Sequence, residues 1–109
     1  NLHDHYGDMS PVHSLNNLAV VIWAFLSFQD SFDEAIGETI CCGWDTDCTG
    51  ATVGGLIGLD KGSIPESWTD PWQGRVNTAI AGVGELKLED LVERTCKLVD
   101  QFSSESDMD

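Results

Sequence analysis

Leu18 to Phe28 reads Leu-Ala-Val-Val-Ile-Trp-Ala-Phe-Leu-Ser-Phe, apolar on nearly every side of a helix. A helix apolar all round has to be covered all round, and that requirement constrains the fold more than any other feature of the chain. The segment is too short to cross a bilayer, which takes ~20 apolar residues, so its cover must be protein. At 109 residues the chain has the length of one small domain. Its other segments offer a few helices, one of them rich in glycine, and left alone they would leave a large apolar patch exposed. The fold is therefore expected to need a partner.

The remaining segments read as helices and turns. Asn1 to Pro11 is polar and irregular, and a helix follows from Ser14 to Phe28. Ser31-Phe32-Asp33-Glu34 fits a capping box. The helix it opens carries Phe32, Ala35, Ile36, Ile40 and Cys41 at helical spacing, and Gly43 stops it. Gly50, Gly54, Gly58 and Gly62 recur every four residues and leave one helix face nearly bare. Each interior glycine costs roughly 1 kcal/mol of helix propensity against alanine, so the row implies close approach by another helix.

Ile64-Pro65-Glu66-Ser67-Trp68 suits a short helix with proline in its first turn. Asp70-Pro71 and Gln73-Gly74 read as turns, and Val76 to Ala81 as a further helix closed by Gly82 and Gly84. Leu88 to Phe102 is amphipathic, with Leu88, Leu91, Val92, Thr95, Leu98, Val99 and Phe102 on one stripe. Its charged side reads as a solvated face. No strand alternation stands out, so the expected fold class is all-α. The expected body is residues 1–102, followed by a disordered acidic tail over 103–109.

A net charge of −14 argues against nucleic acid, whose phosphates call for a Lys/Arg surface. No membrane segment and no targeting signal is visible, and a cytoplasmic location is the expectation. Four cysteines, Cys41, Cys42, Cys48 and Cys96, do not form a disulfide framework, because two are adjacent and no Cys-x-x-Cys occurs. A zinc site from Cys41, Cys42, Cys48 and a histidine is conceivable, but its spacing is not one that recurs in zinc modules. Buried free thiols are expected instead.

The chemistry concentrates in Gly43-Trp44-Asp45-Thr46-Asp47-Cys48. Two carboxylates one residue apart on an irregular turn can aim at one point, and hard divalent cations such as Mg²⁺ take oxygen ligands of this kind. The same pair can simply cap the helix that follows, where acid is favoured by the macrodipole. Trp44 either stacks on a ligand beside the carboxylates or packs against the glycine-rich helix. His13 either reaches the same pocket or serves a surface or hydrogen-bonding role, while Asn16 and Asn17 cap a helix or hold nearby loops. His3 and His5 are expected to be exposed.

The hexapeptide continues as Thr49-Gly50-Ala51-Thr52-Val53-Gly54-Gly55-Leu56-Ile57-Gly58, then Ile64-Pro65-Glu66-Ser67-Trp68 and Leu91-Val92-Glu93-Arg94-Thr95. Val12-His13-Ser14-Leu15-Asn16-Asn17 precedes it. This ordered series, from His13 to Thr95, resembles the C-terminal part of the ADP-ribosylglycohydrolase family. The resemblance is to the branch with Gly-Trp-Asp-Thr-Asp-Cys where other members have Gly-Gly-Asp-Thr-Asp-Thr.

The resemblance implies the C-terminal helices of an all-α hydrolase, incomplete without an N-terminal part that carries further metal-binding carboxylates in a Thr-Asp-Asp-Thr-like motif. It implies cleavage of a glycosidic bond to ADP-ribose or a related nucleotide-sugar at a two-ion Mg²⁺ site. By position, Asp45 and Asp47 are the catalytic metal ligands, and Cys48 stands where a hydroxyl ligand would be, although a soft thiol suits Mg²⁺ poorly. Trp44, Gly43 and His13 are the substrate-binding candidates. The expected partner is the missing N-terminal half or a second copy, and this chain alone is expected to be inactive. Competing readings are a crystallin-like structural or binding protein of the same fold and a small cation-binding module.

Overall fold

A computed structural model describes residues 1–106 and shows an all-α fold with one small hairpin. The chain divides into two compact units, Asn1–Pro65 and Glu66–Asp109.

The first unit holds α1 (Leu2–Tyr6), α2 (Ser14–Phe28), α3 (Phe32–Cys41) and α4 (Thr46–Lys61). The N-terminal stretch, read as irregular, forms a short helix because the Asn1 side chain accepts the His3 N–H at 3.0 Å and caps it. The later three helices pack on one another around Val21, Ala24, Ala35, Val53 and Ile57, with Phe25, Phe28, Phe32 and Ile36 at the margin. Val20, Asn16, Thr39 and Thr49 are buried as well.

The start of α3 follows its capping signal, since Ser31 Oγ accepts the Glu34 N–H at 3.3 Å. Replacing that oxygen orphans a helix N–H, so Ser31→Ala is expected to cost about 1 kcal/mol in urea denaturation. The bare face of α4 lies against α3. A Cβ at Gly50 would stand 2.9 Å from Ile40 Cδ1, and one at Gly54 would stand 3.3 Å from Ile36 Cδ1. Isoleucine side chains of α3, rather than its backbone, fill the space the glycines leave. Gly62 has a different task. It ends α4 in the left-handed conformation, φ +74°, with its N–H donating to Gly58 O.

The outer side of α2 is uncovered, as the all-apolar segment foretold: Leu15, Leu18, Ile22 and Leu26 are all exposed, Leu26 at 65 %. No helix among the described residues is long and apolar enough to cross a membrane.

The second unit comprises α5 (Glu66–Thr69), a 3₁₀ turn (Asp70–Trp72), β1 (Arg75–Asn77), β2 (Glu85–Lys87) and α6 (Leu88–Ser106). Ile64 and Pro65 precede α5 instead of opening it. The helix expected over Val76 to Ala81 is not formed. β1 pairs antiparallel with β2 in the register Arg75↔Lys87, Val76↔Leu86 and Asn77↔Glu85. The physical reason is legible afterwards: Val76, Thr78 and Ile80 are β-branched at alternate positions, which favours extended backbone. Gly82 and Gly84, at φ +77° and +59°, then turn the chain back. Thr78 N–H donates to Gly84 O at 2.9 Å and closes the hairpin.

Helix α6 is longer than the amphipathic pattern and runs through Ser103 to Ser106, where a disordered tail was expected. Ser104 and Ser106 hydroxyls bond back to Gln101 and Ser103 carbonyls, and Glu93 and Lys97 form an i,i+4 pair at 2.8 Å. Residues 107–109 of that tail lie outside the described residues. Among the described residues of its unit nothing covers the apolar stripe of α6, and Val92, Leu98, Val99 and Phe102 are all exposed.

Candidate metal centre

The connection from α3 to α4 is built from two left-handed residues in succession. α3 ends with the Cys42 N–H shared between Glu38 and Thr39 carbonyls, and the Gly43 N–H donates to Ile40 O at 3.1 Å. Gly43 takes φ +75°, which glycine adopts freely. Trp44 follows at φ +62°, a conformation that costs a non-glycine residue of order 1–3 kcal/mol. The chain then straightens at Asp45 and enters α4.

Asp45 occupies the N-cap position, yet its side chain makes no capping hydrogen bond. The carboxylate is therefore free of the duty that would explain it structurally. Its main chain is held instead. The Asp45 N–H donates to Asn17 Oδ1 at 3.2 Å, and its carbonyl accepts both the Thr49 N–H at 3.0 Å and the Thr49 hydroxyl at 3.1 Å.

Oxygen atoms of Asp45 and Asp47 and the sulfur of Cys48 lie within 4.8 Å of one another. Asp45 is half-buried, while Asp47 and Cys48 are exposed. A hydrogen bond with the Asp45 carboxyl, followed by the N–H groups of Asp47 itself and Cys48, holds the Asp47 carboxyl below its usual range. The Cys48 thiol is pushed up, first by a hydrogen bond with Asp45 and then by the charges of Asp45 and Asp47. The donor set thus divides. Two hard oxygens at a helix N-terminus suit a hard divalent cation that keeps several of its waters. A thiol held neutral by adjacent carboxylates does not suit one.

The cysteines do not make the zinc set considered from sequence. Among the described residues the only metal-ligand cluster found is Asp45, Asp47 and Cys48, without Cys41 or Cys42. All four cysteines are free, but none is buried: Cys42 is half-buried and the others are exposed. Cys41 ends α3, Cys48 lies in the first turn of α4, and Cys96 sits on the uncovered α6, so no core reaches them.

The substrate-binding candidates fall in different places. Trp44 directly precedes Asp45, and its ring centroid lies 4.1 Å from that of His3. Gly43 forms the left-handed corner before it. His13 caps α2, with Nδ1 accepting the Leu15 N–H at 3.1 Å. Next to Cys48 a groove of ≈ 420 Å³ opens between α2 and α4, lined by Ser14, Leu15, Asn17, Leu18, Cys48 and Thr52 among others.

Two long-range contacts reach the site: one from His3, and one from Asn17, which holds a nearby loop as expected, that loop being the site turn. His3 is exposed as expected, but its Nε2–H donates to Cys42 O at 2.6 Å across 39 positions. Asn17 reaches Asp45 across 28. Neither contact follows from local spacing.

The family model described as ADP-ribosylglycohydrolase matches residues 3–106. Comparison with curated proteins gave no match, and neither did comparison with solved structures.

Proposed function

The chain belongs to the ADP-ribosylglycohydrolase family, a family of hydrolases, and on that premise we propose that it serves hydrolysis of a glycosidic bond to ADP-ribose or a related nucleotide-sugar, with a divalent cation held by Asp45 and Asp47. One observation carries the reading. The two carboxylates converge at the start of α4, and the Asp45 carboxylate is not used for capping.

Mg²⁺ fits this oxygen pair, and bound there it supplies charge stabilisation and orientation of substrate and water. The chain's own residues do the rest. Asp45 and Asp47 set the position of the reacting end. The α4 N-terminus adds positive potential beside both carboxylates. Trp44, next to Asp45 in the chain, offers an indole on which a nucleobase can stack. Cys48 lines the adjoining groove as a neutral thiol and is not a ligand. Further ligands come from a second polypeptide, the N-terminal part of the family fold or another copy, which also covers the exposed side of α2.

A titration with Mn²⁺, a stand-in for Mg²⁺ with an EPR signal, tests the reading. Saturable binding is expected at neutral pH. It should weaken as pH falls, because protons compete for the carboxylates. Asp47, whose carboxyl is held below its usual range, should resist that competition. No saturable binding, or binding indifferent to acid, would sink the metal-dependent reading.

A further inference from the structure

We propose that Asn17 is the positioning residue of the candidate metal centre, fixing the aim of the Asp45 carboxylate through the Asp45 main chain. The inference rests on the cation-binding reading and extends it to a residue outside the acidic motif.

The Asn17 amide has no freedom left. Its Nδ2 donates to Pro11 O at 2.8 Å and to His13 O at 2.7 Å, and its Oδ1 accepts the Asp45 N–H at 3.2 Å. Turning the amide over would set its oxygen against two carbonyl oxygens and its NH₂ against an N–H, so the orientation is fixed by chemistry. Asn17 is not needed to cap α2, because His13 Nδ1 already accepts the Leu15 N–H. Its oxygen is spent on Asp45.

That bond falls where the chain most needs it. Gly43 and Trp44 both stand at positive φ immediately before Asp45, so a small rotation there would swing the carboxylate away from Asp47. Thr49 holds the carbonyl side of Asp45 from within α4. Asn17 holds the N–H side from α2, so the two together fix the peptide planes on either side of the carboxylate. Partners that orient ligands in this way typically change metal affinity by about 10–100-fold when removed.

The test is a Mn²⁺ titration of the full chain and of its Asn17→Ala and Asn17→Asp variants, well below their melting temperatures and with far-UV circular dichroism alongside. Asn17→Ala is expected to weaken binding by at least about tenfold with helix content unchanged. Asn17→Asp keeps the size and the acceptor but sets a carboxylate oxygen against the Pro11 and His13 carbonyls. It is expected to weaken binding too, whereas its added negative charge alone would strengthen it. Unchanged affinity in Asn17→Ala, or tighter binding in Asn17→Asp, would overturn the inference and leave the cation reading standing. If Asn17→Ala does not fold, Asn17→Asp decides by the direction of its change. A wild-type chain that binds no Mn²⁺ removes the cation reading, and this inference with it.

Discussion

Asp45→Asn is expected to abolish cation binding, and with it the hydrolysis proposed for the chain, while leaving helix content at the wild-type level. The amide replaces an anionic oxygen with a neutral one at the half-buried member of the pair. What Asp45 gives the fold passes through its main chain: the N–H to Asn17 and the carbonyl to Thr49. Both survive the substitution. Its side chain caps nothing, and asparagine is as good as aspartate at that position in any case. The affinity loss should exceed the ~10–100-fold typical of changes outside the ligand shell. Mn²⁺ binding and far-UV circular dichroism on the same sample check this. A fall in helix content with cation binding retained would show that the carboxylate serves the helix rather than a metal.

Ile57→Ala is expected to have the largest effect on stability. Ile57 is 2 % exposed and sits in the core with Val53, Val21, Ala24 and Ala35. Truncating a buried isoleucine typically costs about 2–5 kcal/mol, transfer and cavity together. A unit the size of Asn1–Pro65 holds about 3–10 kcal/mol in all, at ~0.05–0.15 kcal/mol per residue, so the loss takes a large share. With an m-value of about 1 kcal/mol/M, the urea midpoint should fall by roughly 2 M or more. Leu59→Ala, two residues along the same helix but 82 % exposed, is expected to stay within about 0.5 kcal/mol. Equal effects from the two would mean that the α2–α3–α4 core is not the stabilising one.

Much of this was legible because it is local. Ser31 and Gly43 mark the ends of α3 by capping chemistry that a few consecutive residues contain. The four-residue glycine row predicts a close neighbour, and at Gly50 and Gly54 that neighbour proves to be Ile40 and Ile36 of α3. The helix expected over Val76 to Ala81 fails because six residues are too few to establish a period, and the weight belongs to the alternating β-branched residues and the two glycines beyond. The cysteines were expected inside on their general habit, but they lie at helix ends and on a helix without cover. At the candidate site, the acidic pair was visible in six residues. The Asn17 and His3 contacts were not, because α1 and α2 reach the turn through the tertiary fold, and no periodicity encodes that.

The left-handed conformation of Trp44 bears on any effort to engineer this chain. The backbone cost there is of order 1–3 kcal/mol, and an aromatic stack such as that with His3 returns ~0.5–1.5 kcal/mol. The stack and the half-burial of the indole offset that cost, whereas glycine would take the same backbone without strain. A redesign scored on backbone strain alone would put glycine at Trp44 and delete the side chain that directly precedes Asp45. Screens for hardier versions of this protein should therefore hold that position fixed.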